Sequence, residues 1–329
     1  MQQELIDKYG RKLDYLRLSV TDRCNFRCYY CMPEEGMDFV QKKELLTYEE
    51  LDYLTGIFVE LGVKKIRITG GEPFVRKGIM DFLELLSQNK GLKEITLTSN
   101  GSISEQQIRK LALLGIKKVN ISLDSLNREK FFEITRRDKF DEVMACIKAL
   151  LKQNFTVKLN CVVDGRKNID DIIPFIQLTE KNPLSVRFLE EMPFNGTGKF
   201  DIPEWNYKAL YSYIEDHFPG IEKIKDESNS TSVNYQVPGY LGSFGIIPAF
   251  SRTFCGTCNR IRLSATGELR TCLYGPPVTN LRDILRSVAG KNGIKSAILS
   301  AVANKAKDGF EAENQIAGDS KKSMSFLGG

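Results

Sequence analysis

Leu13-Asp14-Tyr15-Leu16-Arg17-Leu18-Ser19-Val20 runs straight into Thr21-Asp22-Arg23-Cys24-Asn25-Phe26-Arg27-Cys28-Tyr29-Tyr30-Cys31. Apolar and polar residues alternate through the first half, the mark of a strand with one buried face. The second half sets three thiols within eight residues on the loop beyond that strand. Strand-like runs return at 65–69, 94–98, 118–122, 156–163 and 185–190. Helical patterns separate them at 47–62, 77–89, 104–114, 140–153 and 170–180. The first of these opens on Thr47 with Glu50 three residues on, a capping box. Gly70-Gly71-Glu72-Pro73, Ser99-Asn100-Gly101 and Leu123-Asp124 also follow strand ends. Such alternation implies parallel strands with crossover helices, and barrels of this kind carry their chemistry at the carboxyl ends of the strands. The sequence therefore predicts an α/β fold, a partial (open) TIM-type barrel of about six β/α units. Periodicity alone does not separate this from an open doubly wound sheet.

Beyond residue 193 the rhythm stops. A glycine-containing loop spans 194–201, turns and short strands are expected over 228–243, and 280–307 reads as helical. The expected division is a barrel over 1–193 and a smaller α+β domain over 194–329 that closes the barrel mouth.

Cysteine usage points to metal. Six of the eight cysteines form two groups, Cys24, Cys28 and Cys31, then Cys255, Cys258 and Cys272. Cys146 and Cys161 stand apart in apolar sequence, where packing is the ordinary role. His217 is the only histidine and is far from both groups, which excludes a zinc hydrolase built on histidines. The N-terminus is polar with no secretory segment, so a cytoplasmic location is expected, and the clustered thiols favour metal binding or catalysis over disulfides. No run approaches the roughly 18 apolar residues that would cross a membrane. The net charge of +5 is mild and acids are interspersed among the bases. That pattern does not suit a nucleic-acid-binding module and does suit an anionic small substrate.

Three cysteines can hold three corners of a cubane whose full ligation takes four, leaving one iron open to a ligand. A structural zinc completed by a distant ligand is the rival reading. Gly70-Gly71 taken alone reads as a turn, although without side chains it also admits close approach of another group to its backbone. The second triad is again one ligand short, and zinc is a stronger rival there. Between its cysteines lie Asn259-Arg260-Ile261-Arg262, where Arg260 and Arg262 alternate to one side of an extended segment and form an anion clamp.

With Cys24-Asn25-Phe26-Arg27-Cys28-Tyr29-Tyr30-Cys31 and the Gly-Gly-Glu-Pro element, the chain resembles the radical S-adenosylmethionine superfamily. Residues 15–24, 66–73 and 254–263 and the terminal Gly328-Gly329 narrow the resemblance to the GTP 3′,8-cyclase family of molybdenum cofactor biosynthesis. The resemblance implies two [4Fe-4S] clusters, one on each triad, and S-adenosylmethionine held by Tyr30, Gly71, Ser122 and Met192. It implies GTP bound by Arg17, Arg67, Thr98, Lys158, Arg260, Ile261 and Arg262, with Lys65 a weaker addition. Catalysis would rest on Cys24, Cys28, Cys31, Arg17, Arg260 and Arg262. The implied reaction is radical cyclisation of GTP to 3′,8-cyclo-7,8-dihydroguanosine 5′-triphosphate, and the Gly-Gly tail would reach into the site. Implied partners are an external electron donor and the next pathway enzyme, cyclic pyranopterin monophosphate synthase, with no nucleic acid or membrane; a homodimer stays open. The alternative is a peptide-maturing radical enzyme with an auxiliary cluster, which would lack the Asn-Arg-Ile-Arg clamp and the Gly-Gly end.

Overall fold

Six parallel strands form where the period-two runs stand: β1 (Tyr15–Ser19), β2 (Lys65–Thr69), β3 (Glu94–Ser99), β4 (Lys118–Ser122), β5 (Thr156–Val163) and β6 (Ser185–Glu190). Helices α1 (Tyr48–Glu60), α2 (Ile79–Ser87), α3 (Glu105–Leu113), α4 (Arg128–Thr135), α5 (Phe140–Lys152) and α6 (Ile172–Leu178) connect them. The computed structural model describes residues 4–33, 37–192, 194, 203–288, 290–315 and 324. The Gly328-Gly329 tail and most of the expected 194–201 loop lie outside the described residues.

The strands neighbour one another in sequence order, which gives the expected open barrel. One face of the sheet is apolar. Leu16, Leu18, Ile66, Ile68, Val119, Ile121, Val186 and Phe188 are wholly buried there, in a core shared with Phe58, Phe82 and Phe175 of the helices. Because side chains alternate across a strand, the intervening residues share the other face. Those are Tyr15, Arg17, Lys65, Arg67, Thr98, Asn120, Lys158, Asn160 and Arg187, all lining one cavity. The barrel interior is thus polar and cationic.

The later part of the chain extends this sheet at both edges. Helix α7 (Tyr207–His217) leads to β7 (Glu222–Lys223), β8 (Val233–Gln236) and β9 (Ser243–Ile247), and β9 lies parallel to β6. At the opposite edge β10 (Arg260–Leu263) lies parallel to β1, followed by antiparallel β11 (Glu268–Arg270) and β12 (Thr279–Asn280). Helices α8 (Leu281–Leu285), α9 (Gly290–Ala303) and α10 (Gly309–Glu313) complete the described chain. The β1–β10 register sets Arg17 beside Arg262 and Tyr15 beside Arg260, carrying the expected anion clamp to the barrel wall. Among the described residues no helix is long and apolar enough to cross a membrane.

Helices α4, α7 and α10 fall outside the expected helical segments, and α4 matters most to the site. It buries only Phe131, Ile134 and Thr135, so its apolar stripe is short. Asn127 caps it, accepting the main-chain N–H groups of Glu129 and Lys130. At its other end the carbonyls of Thr135 and Ile134 accept N–H bonds from Arg27 (3.0 Å) and Tyr29 (3.2 Å). This short helix holds the loop that carries the first triad.

Candidate active site

The first triad's loop is fixed from three sides. Helix α4 takes its main-chain donors, and the N–H groups of Cys31 and Met32 fold back onto the Cys28 carbonyl. Phe26 N–H and the Asn100 side chain reach the Cys24 sulfur at 3.4 and 3.7 Å. The Gly70-Gly71-Glu72 turn lies against residues 21–23, with Gly71 N–H on the Thr21 carbonyl (2.7 Å) and Glu72 N–H on that of Arg23 (2.8 Å). A Cβ on Gly71 would stand 2.4 Å from the Arg23 carbonyl oxygen. The glycine is therefore needed for packing against the triad loop, a stricter reason than access of a ligand to the backbone.

Glu72 is the internal brace of this arrangement. Its carboxylate is wholly buried and accepts Asn100 N–H (2.6 Å), the Ser99 hydroxyl (3.0 Å) and Phe74 N–H (3.1 Å). Burial pushes its carboxyl up to about 7 against those bonds. Tyr30 is anchored similarly, donating its hydroxyl to Asp124 at 2.7 Å, while Asp124 accepts Val162 N–H at 2.8 Å. Burial raises Asp124 to about 6, with both bonds pulling the other way.

Cys24, Cys28 and Cys31 line a cavity of about 130 Å3 with Gly71, Tyr30 and Ser122. A larger cavity, of about 360 Å3, is lined by Cys255, Cys258 and Cys272 together with Arg17, Arg67, Lys158, Arg260, Arg262 and Met192. Tyr30, Thr98, Ser122 and Met324 line both. The residues expected from the sequence thus come together around two adjoining spaces. Ile261 is different: its side chain is wholly buried in the apolar core, which leaves its main chain as the part able to meet a ligand. Cys146 and Cys161 are also buried in that core. His217 is exposed, its ring Nδ1 2.8 Å from the Tyr213 carbonyl oxygen.

Both triads suit a cluster. All eight cysteines are free thiols. Burial pushes Cys24 up to about 11 and, with the Asp124 carboxylate, Cys28 well above its usual value, a cost that a metal's positive charge offsets. Cys258 goes the other way, to about 6: burial opposes ionisation, but Lys305 and Arg260 outweigh it. Among the described residues no three ligating side chains converge on a single-ion site. Three thiols lining one cavity match three corners of a cubane cluster with its fourth iron open.

Around the larger cavity positive charge predominates: Arg17, Lys65, Arg67, Lys158, Arg187, Arg260 and Arg262 line it against the carboxylates of Glu191 and Glu227. Arg262, Arg17 and Arg67 stand abreast across β10, β1 and β2. Strands lie about 4.8 Å apart, so these cations repel one another. Desolvation, then Arg262, pulls Arg17 well below its usual value; desolvation takes Arg262 and Arg187 down to about 10. Lys158 falls to about 8, by desolvation and then Arg187. Burial would raise Tyr15, yet Arg67 and Arg17 bring it to about 8. Among the described residues, Arg17 Nε, Arg187 Nε and Arg260 Nε and Nη2 are buried without a hydrogen-bond acceptor. Buried donors of this kind ask for an anion with several oxygens.

Arg187 and the cavity-facing Tyr15, Asn120 and Asn160 were not singled out in the sequence. The signal for Arg187 was present: in Ser185-Val186-Arg187-Phe188 it takes the polar phase of a strand whose other phase is core. Lys65 lines the cavity while paired with Glu94 at 2.9 Å.

Residues 18–179 match the Radical SAM superfamily model, and residues 184–310 match the model described as Molybdenum Cofactor Synthesis C. The chain is 41% identical to the mitochondrial GTP 3′,8-cyclase of Arabidopsis thaliana, over 99% of this chain and 83% of that one. It is 42% identical to the GTP 3′,8-cyclase of Peptoclostridium acidaminophilum, covering 92% and 93%. The chain belongs to the GTP 3′,8-cyclase family. As a member of that family it is a radical S-adenosylmethionine enzyme, and the family implies S-adenosylmethionine and an iron–sulfur cluster. It spans about half of the longer mouse relative, Molybdenum cofactor biosynthesis protein 1, at 42% identity over 92% of this chain and 48% of that one. SuiB of Streptococcus suis superimposes with a TM-score of 0.60 at 16% identity, over 88% of this chain and 69% of that one. That likeness is one of fold, and it lends no weight to the peptide-maturing alternative.

Proposed function

We propose that this GTP 3′,8-cyclase family member cyclises GTP to 3′,8-cyclo-7,8-dihydroguanosine 5′-triphosphate, the first step of molybdenum cofactor biosynthesis. The observation that carries this reading is a cavity in which seven cations outnumber Glu191 and Glu227, with buried arginine donors that lack an acceptor and a cysteine triad at its border. A polyanion suits such crowding, and a triphosphate supplies one.

Cys24, Cys28 and Cys31 would hold one [4Fe-4S] cluster, with Tyr30, Gly71, Ser122 and Met192 around S-adenosylmethionine. When bound, these groups would supply a carbon-centred radical to remove hydrogen from the ribose 3′ carbon; the sugar radical would close onto guanine C8, and one electron from the reductant with one proton would complete the dihydroguanosine product. Cys255, Cys258 and Cys272 would hold a second cluster facing the base. Arg17, Arg67, Lys158, Arg187, Arg260 and Arg262 would fix the triphosphate, with the Ile261 main chain and Thr98 beside them. Binding energy gathered on the phosphates positions the ribose for reaction, so the cations act through orientation. Enclosure in the barrel excludes water and competing hydrogen donors.

The same reading makes the enzyme a lyase in the cytoplasm, supplied by an external electron donor and passing its product to cyclic pyranopterin monophosphate synthase. It treats 1–193 as the barrel and 194–329 as a substrate-facing domain, and is compatible with a homodimer. An anaerobic assay with dithionite, S-adenosylmethionine and GTP tests it by mass spectrometry. The expected products are 5′-deoxyadenosine and the cyclised nucleotide together, with Cys255→Ala retaining the first and losing the second. Formation of 5′-deoxyadenosine with GTP untouched by the unsubstituted protein would refute the substrate.

Lys158 and Tyr15 predict a pH dependence for GTP binding. Without ligand both sit near 8. As pH rises through that value the lysine loses its positive charge and the phenol gains a negative one. Both changes weaken the hold on a triphosphate, so GTP affinity should fall above pH 8, by up to about tenfold per pH unit for each group. Calorimetric titrations between pH 7 and 9.5 would read this, and Lys158→Gln should bind more weakly at pH 7 with a flatter profile. Affinity unchanged to pH 9.5 would rule out a binding role for the two groups.

A further inference from the structure

Lys305 is 2% exposed. Its ammonium donates to the carbonyls of Arg260 (3.3 Å) and Thr271, and no carboxylate pairs with it among the described residues. Thr271 precedes Cys272, and Arg260 lies two residues beyond Cys258, so one cation ties together the two arms that carry those cysteines. The third arm has its own tie. Arg11 donates to the Cys255 carbonyl (3.0 Å) and to those of Lys307 and Ala306 (both 2.6 Å). Arg11 is neutralised by Asp7 at 2.6 Å. Lys305 is not, and a buried cation facing only carbonyls is costly unless negative charge lies close by.

The second triad supplies that charge. Three thiolates on a cubane of charge +2 leave a net −1, and one-electron reduction makes it −2. We infer that Lys305 is the counter-charge of the second cluster, a positioning residue that closes the Cys258 and Cys272 arms and favours the reduced state. The inference rests on the reading that the second triad holds a cluster. A neutral side chain in its place would leave Arg260 and Arg262 but remove one positive charge from beside the triad, so reduction would become harder.

The test uses the full chain with Cys24, Cys28 and Cys31 replaced by alanine, which leaves the second triad alone. Iron and sulfide content are measured after anaerobic reconstitution, and reduction is followed by electron paramagnetic resonance at poised potentials. Lys305→Met should lower the reduced-to-oxidised ratio at a fixed potential about tenfold, about 59 mV for a one-electron couple. Lys305→Arg should restore it. Should Lys305→Met fold, by circular dichroism, but fail to retain iron, retention by Lys305→Arg supports the charge role and loss in both overturns it. Full iron with an unmoved potential in Lys305→Met also overturns it. If the parent triple variant takes up no iron, the second-cluster reading fails and the role of Lys305 falls with it.

Discussion

Arg17→Met should abolish GTP cyclisation and at the same time make the ligand-free protein more stable. Arg17 stands between Arg262 and Arg67 in the sheet register, with its Nε buried and lacking an acceptor. Truncating one partner of a buried charge-assisted contact typically costs 2–5 kcal/mol, so GTP should bind at least about 30-fold more weakly. Without ligand the sign reverses. Desolvation and the neighbouring arginines oppose the charge on Arg17, and methionine keeps the volume while removing both penalties. The apo melting temperature should therefore rise, while the rise on adding GTP shrinks. Anaerobic calorimetry and thermal melts with and without GTP read both effects. An unchanged GTP affinity, or a lower apo melting temperature, would show that the arginine row is structural.

The same row explains what could and could not be read from the chain. β2, β4, β5 and β6 fall on the expected residues because each is a local pattern: one apolar phase against the helices, one polar phase toward the cavity. The capping box at Thr47 is local too, with Glu50 N–H on the Thr47 hydroxyl and Thr47 N–H on the Glu50 carboxylate. Pairing between distant segments leaves no such trace. Nothing in Arg260-Ile261-Arg262-Leu263 says that it lies beside β1, and nothing in the short β9 says that it lies beside β6. So the sequence showed two arginines on one side of a strand but not that Arg17 and Arg67 continue their row. Arg187 was missed for a related reason: a lone arginine in a strand is informative only once its face is known to be the interior. Helix α4 was missed because it buries three residues and draws its importance from carbonyls, which sequence does not display.

Gly71→Ala should disable the enzyme by a different route, through the first triad. The new Cβ would lie 2.4 Å from the Arg23 carbonyl oxygen, 2.6 Å from its carbonyl carbon and 2.8 Å from the Asp22 oxygen. These are main-chain atoms, so no rotamer change relieves the contact. The segment that must yield is the one ending at Cys24, and its freedom is small. Gly71 and Glu72 are bonded to Thr21 and Arg23 on one side, while α4 holds Arg27 and Tyr29 on the other. Overpacking of this kind typically costs 1–3 kcal/mol. A protein of this size can bear that and still fold, but displacement of the Cys24 segment would spoil the geometry of three thiols sharing one cluster. The expected result is a folded variant with iron reduced toward that of the second triad alone and no 5′-deoxyadenosine. Gly256→Ala is the matched control: a Cβ there meets nothing within 4 Å although it sits between Cys255 and Cys258. It should keep its iron and its activity. Full iron and normal cleavage of S-adenosylmethionine in Gly71→Ala would mean that the loop has a slack the packing does not show, and the tight seat of the glycine turn would then have no bearing on the triad.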